Sequence, residues 1–120
     1  MPFRILIVDD EPELMEAYVK VLTKSGYLCL CASDGGQAIK TFDLAHPDLV
    51  LTDLNLATES GIEVIRHAHC HSPRTPIIAI SGHAAGALFE LAQACGASVC
   101  IQKPVDLSVL DAMVSAALAV

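Results

Sequence analysis

Basic side chains are scarce in this sequence, aromatic ones scarcer, and tryptophan is absent. Seven Lys and Arg residues stand against fourteen Asp and Glu over 120 residues, a net charge of −7. That balance argues against nucleic acid or an anionic membrane as a direct partner. With aromatics at 4% of a chain that is 53% hydrophobic, the core has to be aliphatic. No apolar run approaches the roughly eighteen residues that span a bilayer, and no basic-then-apolar leader opens the chain. The five cysteines, Cys29, Cys31, Cys70, Cys95 and Cys100, are odd in number and none is spaced CxxC. Reduced thiols in a cytoplasmic protein are the expectation. Cys29 and Cys31 share one face of a strand and are expected to point at the core or a covering helix rather than at zinc.

What is present is a regular alternation of short apolar runs and amphipathic stretches, on a length that fits one domain spanning residues 1–120. Strands are expected at residues 3–8, 28–32, 48–53, 76–80 and 98–102. The first helix follows Pro12, suited to an opening turn, and stops at Gly26. Leu14, Ala17, Tyr18, Val21 and Leu22 make its core stripe. Asp34-Gly35-Gly36 reads as a turn, followed by a helix through Ala38, Ile39 and Phe42 that ends before Pro47. Further helices are expected at 61–70, 84–95 and 107–119. Strands alternating with helices mean an α/β fold, a doubly wound five-stranded parallel sheet with five helices and right-handed crossovers.

In such a sheet ligands bind outside the carboxyl ends of the strands. Those ends carry Asp9 and Asp10, then Asp53, Ser81 and Lys103. Singly these are ordinary capping, turn or solvated residues; together they place three carboxylates, a hydroxyl and an ammonium at one sheet edge. Three carboxylates in one crevice call for a cation or raised pKa values. Hard oxygen ligands suit Mg²⁺, Lys103 suits a phosphate oxygen, and a carboxylate can act as nucleophile to give an aspartyl-phosphate. The arrangement fits phosphoryl transfer.

Ile7-Val8-Asp9-Asp10-Glu11-Pro12, Asp53 with Gly61 eight residues on, Ile80-Ser81 and Lys103-Pro104, in this order and spacing, resemble the receiver domain of two-component response regulators over essentially the whole chain. The resemblance implies a flavodoxin-like, receiver-type fold and a signalling module rather than a turnover enzyme. It implies that Asp53 accepts a phosphoryl group from a phosphohistidine of a sensor histidine kinase or phosphotransfer protein. It implies Mg²⁺ held by Asp10, Asp53 and the main-chain carbonyl of Asn55, with Asp9 reaching it through water. Ser81 and Lys103 would bind the phosphoryl oxygens, and the Lys103–Pro104 bond would be cis. Four positions depart from the family's habit: Ala57, Ser60, His83 and Cys100. Cys100 stands where a Tyr or Phe usually swings inward on activation, and His83 is placed to influence hydrolysis; with Ser81 these are the switch positions. Met15 and Val19, off the core stripe of the first helix, together with Pro104, are expected at the kinase contact.

Residues 82–120 carry only four charged side chains, Glu90, Lys103, Asp106 and Asp111. Leu107, Leu110, Val114, Ala117 and Leu118 form the inward stripe of the last helix, which leaves Val109, Ala112, Met113 and Ala116 outward. Such an apolar patch marks a partner site, and the resemblance implies the face of the fourth helix, fifth strand and fifth helix as the surface for a homodimer or a downstream protein. His67 and His71, at i, i+4 in His67-Ala68-His69-Cys70-His71, have a zinc-compatible spacing but lack further ligands, and read as imidazoles at a helix C-terminus. A second functional reading is a haloacid dehalogenase-like aspartyl phosphatase, which shares the Asp, Ser, Lys and Mg²⁺ but wants an acid where Asn55 stands.

Overall fold

The computed structural model describes residues 2–56, 60–82 and 86–119. Ten elements alternate along the chain: β1 (Arg4–Val8), α1 (Pro12–Lys24), β2 (Leu28–Ala32), α2 (Gly35–Ala45), β3 (Leu49–Asp53), α3 (Ile62–His71), β4 (Ile77–Ser81), α4 (Gly86–Cys95), β5 (Val99–Gln102) and α5 (Leu107–Leu118). The strands form one parallel sheet in the order β2-β1-β3-β4-β5. After β1 the chain moves outward to β2 and then returns past β1 to β3. This reversal of direction opens a crevice between the carboxyl ends of β1 and β3.

Both faces of the sheet are covered, so the central strands β3 and β4 are buried along their whole length. Alternate side chains serve opposite faces. Ile5, Ile7, Leu49, Leu51, Ile78 and Ile80 pack with Tyr18, Leu22, Leu110 and Val114 of α1 and α5. Leu6, Val50, Ile77 and Ala79 pack with Ala38, Phe42, Ile65 and Ala92 of α2, α3 and α4. The core is aliphatic, with Tyr18 and Phe42 as its buried aromatics.

Several local expectations shift. Asp34-Gly35-Gly36 is not a free-standing turn: Asp34 accepts a hydrogen bond from the Gln37 N–H at 2.8 Å, and α2 begins at Gly35. The short carboxylate reaches the first orphan N–H groups, so the helix nucleates through the glycines. Met15 and Val19 are not off the core: both are half-buried and pack against the α1–α5 cluster, and Met113 does the same from α5. A helix lying flat on a sheet buries an arc wider than one stripe, which brings in flanking positions. Cys29 is half-buried there too, but Cys31 is exposed, because β2 is an edge strand. All five cysteines are free. The expected stop at Gly26 holds; its φ of +96° is a region that glycine enters without strain.

Candidate functional site

The geometry of the crevice starts with main-chain pairing. Val8 lies opposite Thr52 in the β1–β3 ladder and Asp53 opposite Ile80 in the β3–β4 ladder. The Leu54 N–H reaches the Ile80 carbonyl at 2.8 Å, and the Lys103 N–H the Ser81 carbonyl at 2.8 Å. These bonds set the strand ends level, so that Asp9, Asp53, Ser81 and Lys103 face one another.

Asp53 is 3% exposed and Asp9 2%. Lys103 donates from Nζ to Asp53 Oδ2 at 2.9 Å, and the same ammonium lies 3.5 Å from Asp9 Oδ2 and 3.8 Å from Glu11 Oε1. Asp53 Oδ1 accepts the Asn55 N–H at 2.9 Å, which fixes the carboxylate plane. Asp9 Oδ1 accepts the Glu11 N–H at 2.9 Å. The 3.5 Å contact of Asp9 Oδ2 with Lys103 is an ion pair outside hydrogen-bonding geometry, and that buried oxygen has no hydrogen-bond partner among the described residues. The Ser81 hydroxyl, fully buried, donates to Asn55 Oδ1 at 2.7 Å.

Burial pushes the Asp9 carboxyl above its usual range; the Glu11 N–H and the Lys103 charge pull it back only in part, and Asp53 adds to the rise. For Lys103, burial pulls downward, but the hydrogen bond to Asp53 and the fields of Asp53, Asp9 and Glu11 outweigh it and hold the ammonium above its usual value. The site is thus one cation among several acids. Oxygens of Asp9, Asp10 and Asp53 lie within 4.8 Å of one another. An acceptor-only set of carboxylates, with one buried oxygen lacking a hydrogen-bond donor, fits a hard divalent cation such as Mg²⁺.

Gly61 explains how Asp53 is seated. A Cβ there would collide with the Asp53 carbonyl oxygen and come within 3.1 Å of the Leu54 Cα. The bare glycine lets its N–H bond the Leu54 carbonyl at 3.1 Å, clasping the connection after β3 onto the strand end. The cis Lys103–Pro104 bond is present, and Pro104 is exposed beside the site. Ser60 is exposed at the end of the same connection, its hydroxyl accepting the Ile62 N–H at 3.1 Å. Ala57 and His83 lie outside the described residues. Cys100 is half-buried with Sγ 3.8 Å from the Phe89 carbonyl of α4, so the position of the usual aromatic is taken by a small thiol leaning on that helix.

Two contributions had no signal in the sequence reading: the Asn55 side-chain oxygen holds the Ser81 hydroxyl, and Glu11, the N-cap residue of α1, brings its carboxylate to 3.8 Å from Lys103 Nζ. Gly61, marked in the sequence by its spacing from Asp53, acts by close approach. The histidines do close α3, with His71 Nδ1 2.8 Å from the His67 carbonyl; in addition His67 Nε2 pairs with Asp43 Oδ1 at 2.7 Å, and the two rings stack with centroids 4.1 Å apart. The hydrogen bond from His67 holds the Asp43 carboxyl below its usual value.

The model of the response regulator receiver domain matches residues 5–115. The chain is 35% identical over 115 residues to Regulatory protein AtoC of Escherichia coli (strain K12), covering 96% of this chain and 25% of that protein. It is 32% identical over 111 residues to Sensor protein EvgS of the same organism, covering 92% of this chain and 9% of that one. The chain thus spans a quarter or less of these relatives' length. Among solved structures, a CheY-like response regulator receiver domain protein from Methanospirillum hungatei JF-1 superposes with a TM-score of 0.95 at 27% identity, covering 99% of this chain and 95% of that one. The haloacid dehalogenase-like reading finds no support in these likenesses. With its strand order, its acid cluster and these matches, the chain belongs to the response regulator receiver domain family.

Proposed function

We propose that this domain accepts a phosphoryl group on Asp53 from a phosphohistidine of a sensor histidine kinase or phosphotransfer protein. The observation that supports the reading best is the buried Asp53 carboxylate, gripped by Lys103 at 2.9 Å, with Asp9 and Asp10 oxygens within 4.8 Å. In the transfer, an Asp53 carboxylate oxygen forms a P–O bond as the P–N bond to the donor imidazole breaks, and the imidazole nitrogen keeps the electron pair. Mg²⁺ held by Asp10, Asp53 and the Asn55 main-chain carbonyl, with Asp9 acting through water, would neutralise the charge on the moving phosphoryl group.

The chain's own residues do the positioning. The Asn55 N–H orients the Asp53 carboxylate. Lys103, once a phosphoryl group occupies Asp53, moves its ammonium to a phosphoryl oxygen. Ser81, whose hydroxyl is held by Asn55, has to release that bond to donate to another phosphoryl oxygen. Its movement biases the neighbouring α4–β5–α5 face between two arrangements. Leu91 and Val109 are 47% and 49% exposed there, which suits a homodimer or a downstream partner, and Cys100 leaves little bulk to swing. Met15, which lines a cleft with Asp9 and Asp10, the exposed Pro104 and the half-buried Val19 farther along α1 serve the donor's approach. The setting is the cytoplasm, and no helix among the described residues is long and apolar enough to cross a membrane.

Acetyl phosphate with Mg²⁺ should add one phosphoryl group to the wild type, read by intact mass, and none to Asp53→Asn. An adduct of equal yield on the Asn variant overturns the assignment.

A further inference from the structure

The outer edge of the sheet beside α1 and α2 is unguarded. β2 closes the sheet on that side and pairs with β1 alone among the described residues. Its ladder shows which main-chain groups are spent. The Leu28 N–H donates to the Phe3 carbonyl at 2.9 Å, and the Ala32 carbonyl accepts the Asp9 N–H at 3.1 Å. Successive residues of a strand turn their main-chain groups to opposite sides. Leu28, Leu30 and Ala32 therefore serve β1, while Cys29 and Cys31 present N–H and C=O outward.

Natural sheets blunt such an edge with charge, proline, a bulge or a cover. β2 reads Leu28-Cys29-Leu30-Cys31-Ala32, without a charged residue or a proline. Its register with β1 runs unbroken from Leu28 to Ala32, so no bulge bends it. Leu28 is 47% exposed and Cys31 is exposed, so α1 and α2 leave the edge open. The strand also runs from a basic end to an acidic one. Lys24 stands before it in the last turn of α1. Asp34 follows it, and Asp9 and Asp10 line one cleft with Cys31 and Ser33. An antiparallel copy of the same strand sets each basic end against the other's acidic end, whereas a parallel one sets like against like. It also satisfies the outward groups of both strands at once, as two-fold symmetry requires.

We propose that β2 is a docking edge for a second copy of this chain, the two strands pairing antiparallel about Leu30 so that Cys29 of one copy lies opposite Cys31 of the other. The pairing joins the two sheets into one, with main-chain hydrogen bonds exchanged between those cysteines. This surface is separate from the α4–β5–α5 face, since β5 is the opposite edge of the sheet. Residues opposed in this way have Cα atoms about 5.5 Å apart, within the span of a disulfide. Two copies of Cys31, displaced along the strands, would be about 8 Å apart, beyond that span.

That geometry makes the register testable. On a background of Cys70→Ser, Cys95→Ala and Cys100→Ala, one protein carries Cys29→Ser and a second carries Cys31→Ser. Diamide takes up the two hydrogens of a thiol pair as the S–S bond forms. With it, the mixture should give a disulfide dimer on a non-reducing gel at least about tenfold faster than either protein alone. Equal rates report collision of exposed thiols and overturn the proposal. Sedimentation of the wild type under reducing conditions should show a dimer that grows with concentration. Cys31→Pro deletes one outward N–H from each copy and should weaken that dimer at least about tenfold, while the ladder to β1 keeps its bonds. Should Cys31→Pro lose its circular dichroism, Cys31→Lys, which charges an already exposed position, is measured in its place. A dimer that the folded variant leaves unchanged runs through another face and overturns the proposal. A wild type that stays monomeric up to about 1 mM leaves the edge to a strand of some other protein and overturns it equally.

Discussion

Gly61 illustrates how one hydrogen atom in place of a methyl group can decide the geometry of a buried carboxylate. Its own backbone is in ordinary helical territory, with φ −65°, so flexibility is not what requires glycine. The requirement is room, since the atoms a Cβ would meet are main-chain atoms of Asp53 and Leu54 that cannot rotate away. Gly61→Ala should lower stability by about 1–3 kcal/mol, the cost of forcing a methyl into a packed interior, and should slow phosphorylation of Asp53 as well. Urea unfolding with and without acetyl phosphate treatment measures both, and an unchanged urea midpoint contradicts the close approach. The need for Gly61 was visible in the sequence only as a spacing from Asp53; its reason is a main-chain contact between the end of the β3–α3 connection and the end of β3, which no side-chain pattern encodes. Asn55 is similar. Its place after Asp53 marked its carbonyl, while the amide that holds Ser81 26 residues away depends on tertiary approach.

At the level of elements, alternation of short apolar runs with helical stripes was enough to give all five strands and all five helices in order, because each signal is local and repeated. Faces were harder. Met15, Val19 and Met113 were sorted outward by a narrow stripe, whereas α1 and α5 each lie on a sheet and on each other, burying flanking rows as well. Capping was partly hidden too. Asp106 stands at the N-cap of α5, with Oδ1 accepting from the Ser108 N–H at 3.0 Å and the Val109 N–H at 3.4 Å. The Ser108 hydroxyl, donating to the same oxygen at 2.7 Å, does most to lower its pKa, and the Ser108 and Val109 N–H groups add to it. A carboxylate with a lowered folded pKa contributes stability above its usual value of 3.8, and loses it as pH falls through the folded one. Asp106→Ala should therefore lower the urea midpoint at neutral pH, and the deficit should shrink in acid. Asp106→Asn, which retains an acceptor, should lose less. An Ala deficit that stays constant down to strongly acid pH contradicts the role of the charge.

Across the whole molecule, the parallel sheet directs its acids to one edge, and that concentration opposes stability. The Asp9 pKa is raised, chiefly by burial. Its favourable contribution is therefore present below the usual value of 3.8 and is lost as pH rises through the raised folded value. At neutral pH the ionised group weighs against the fold until a cation neutralises it. Mg²⁺ should raise the thermal midpoint at neutral pH, by about 2.7 kcal/mol of stability at a hundredfold excess over its dissociation constant. Chelation should reverse the gain. Asp9→Asn should exceed the wild type in chelator and gain less from Mg²⁺; coincident melts of wild type with and without the cation contradict this. The same topology has a bearing on synthesis. Lys103 grips Asp53 across 50 residues of sequence and hangs its main chain on Ser81. A ribosome makes Asp53 roughly halfway through this segment and Lys103 only near its end. A growing chain that has exposed Asp53 thus lacks the ammonium that completes its surroundings. On the proposed function, a half-made chain should not take up a phosphoryl group until the last crossover has delivered Lys103.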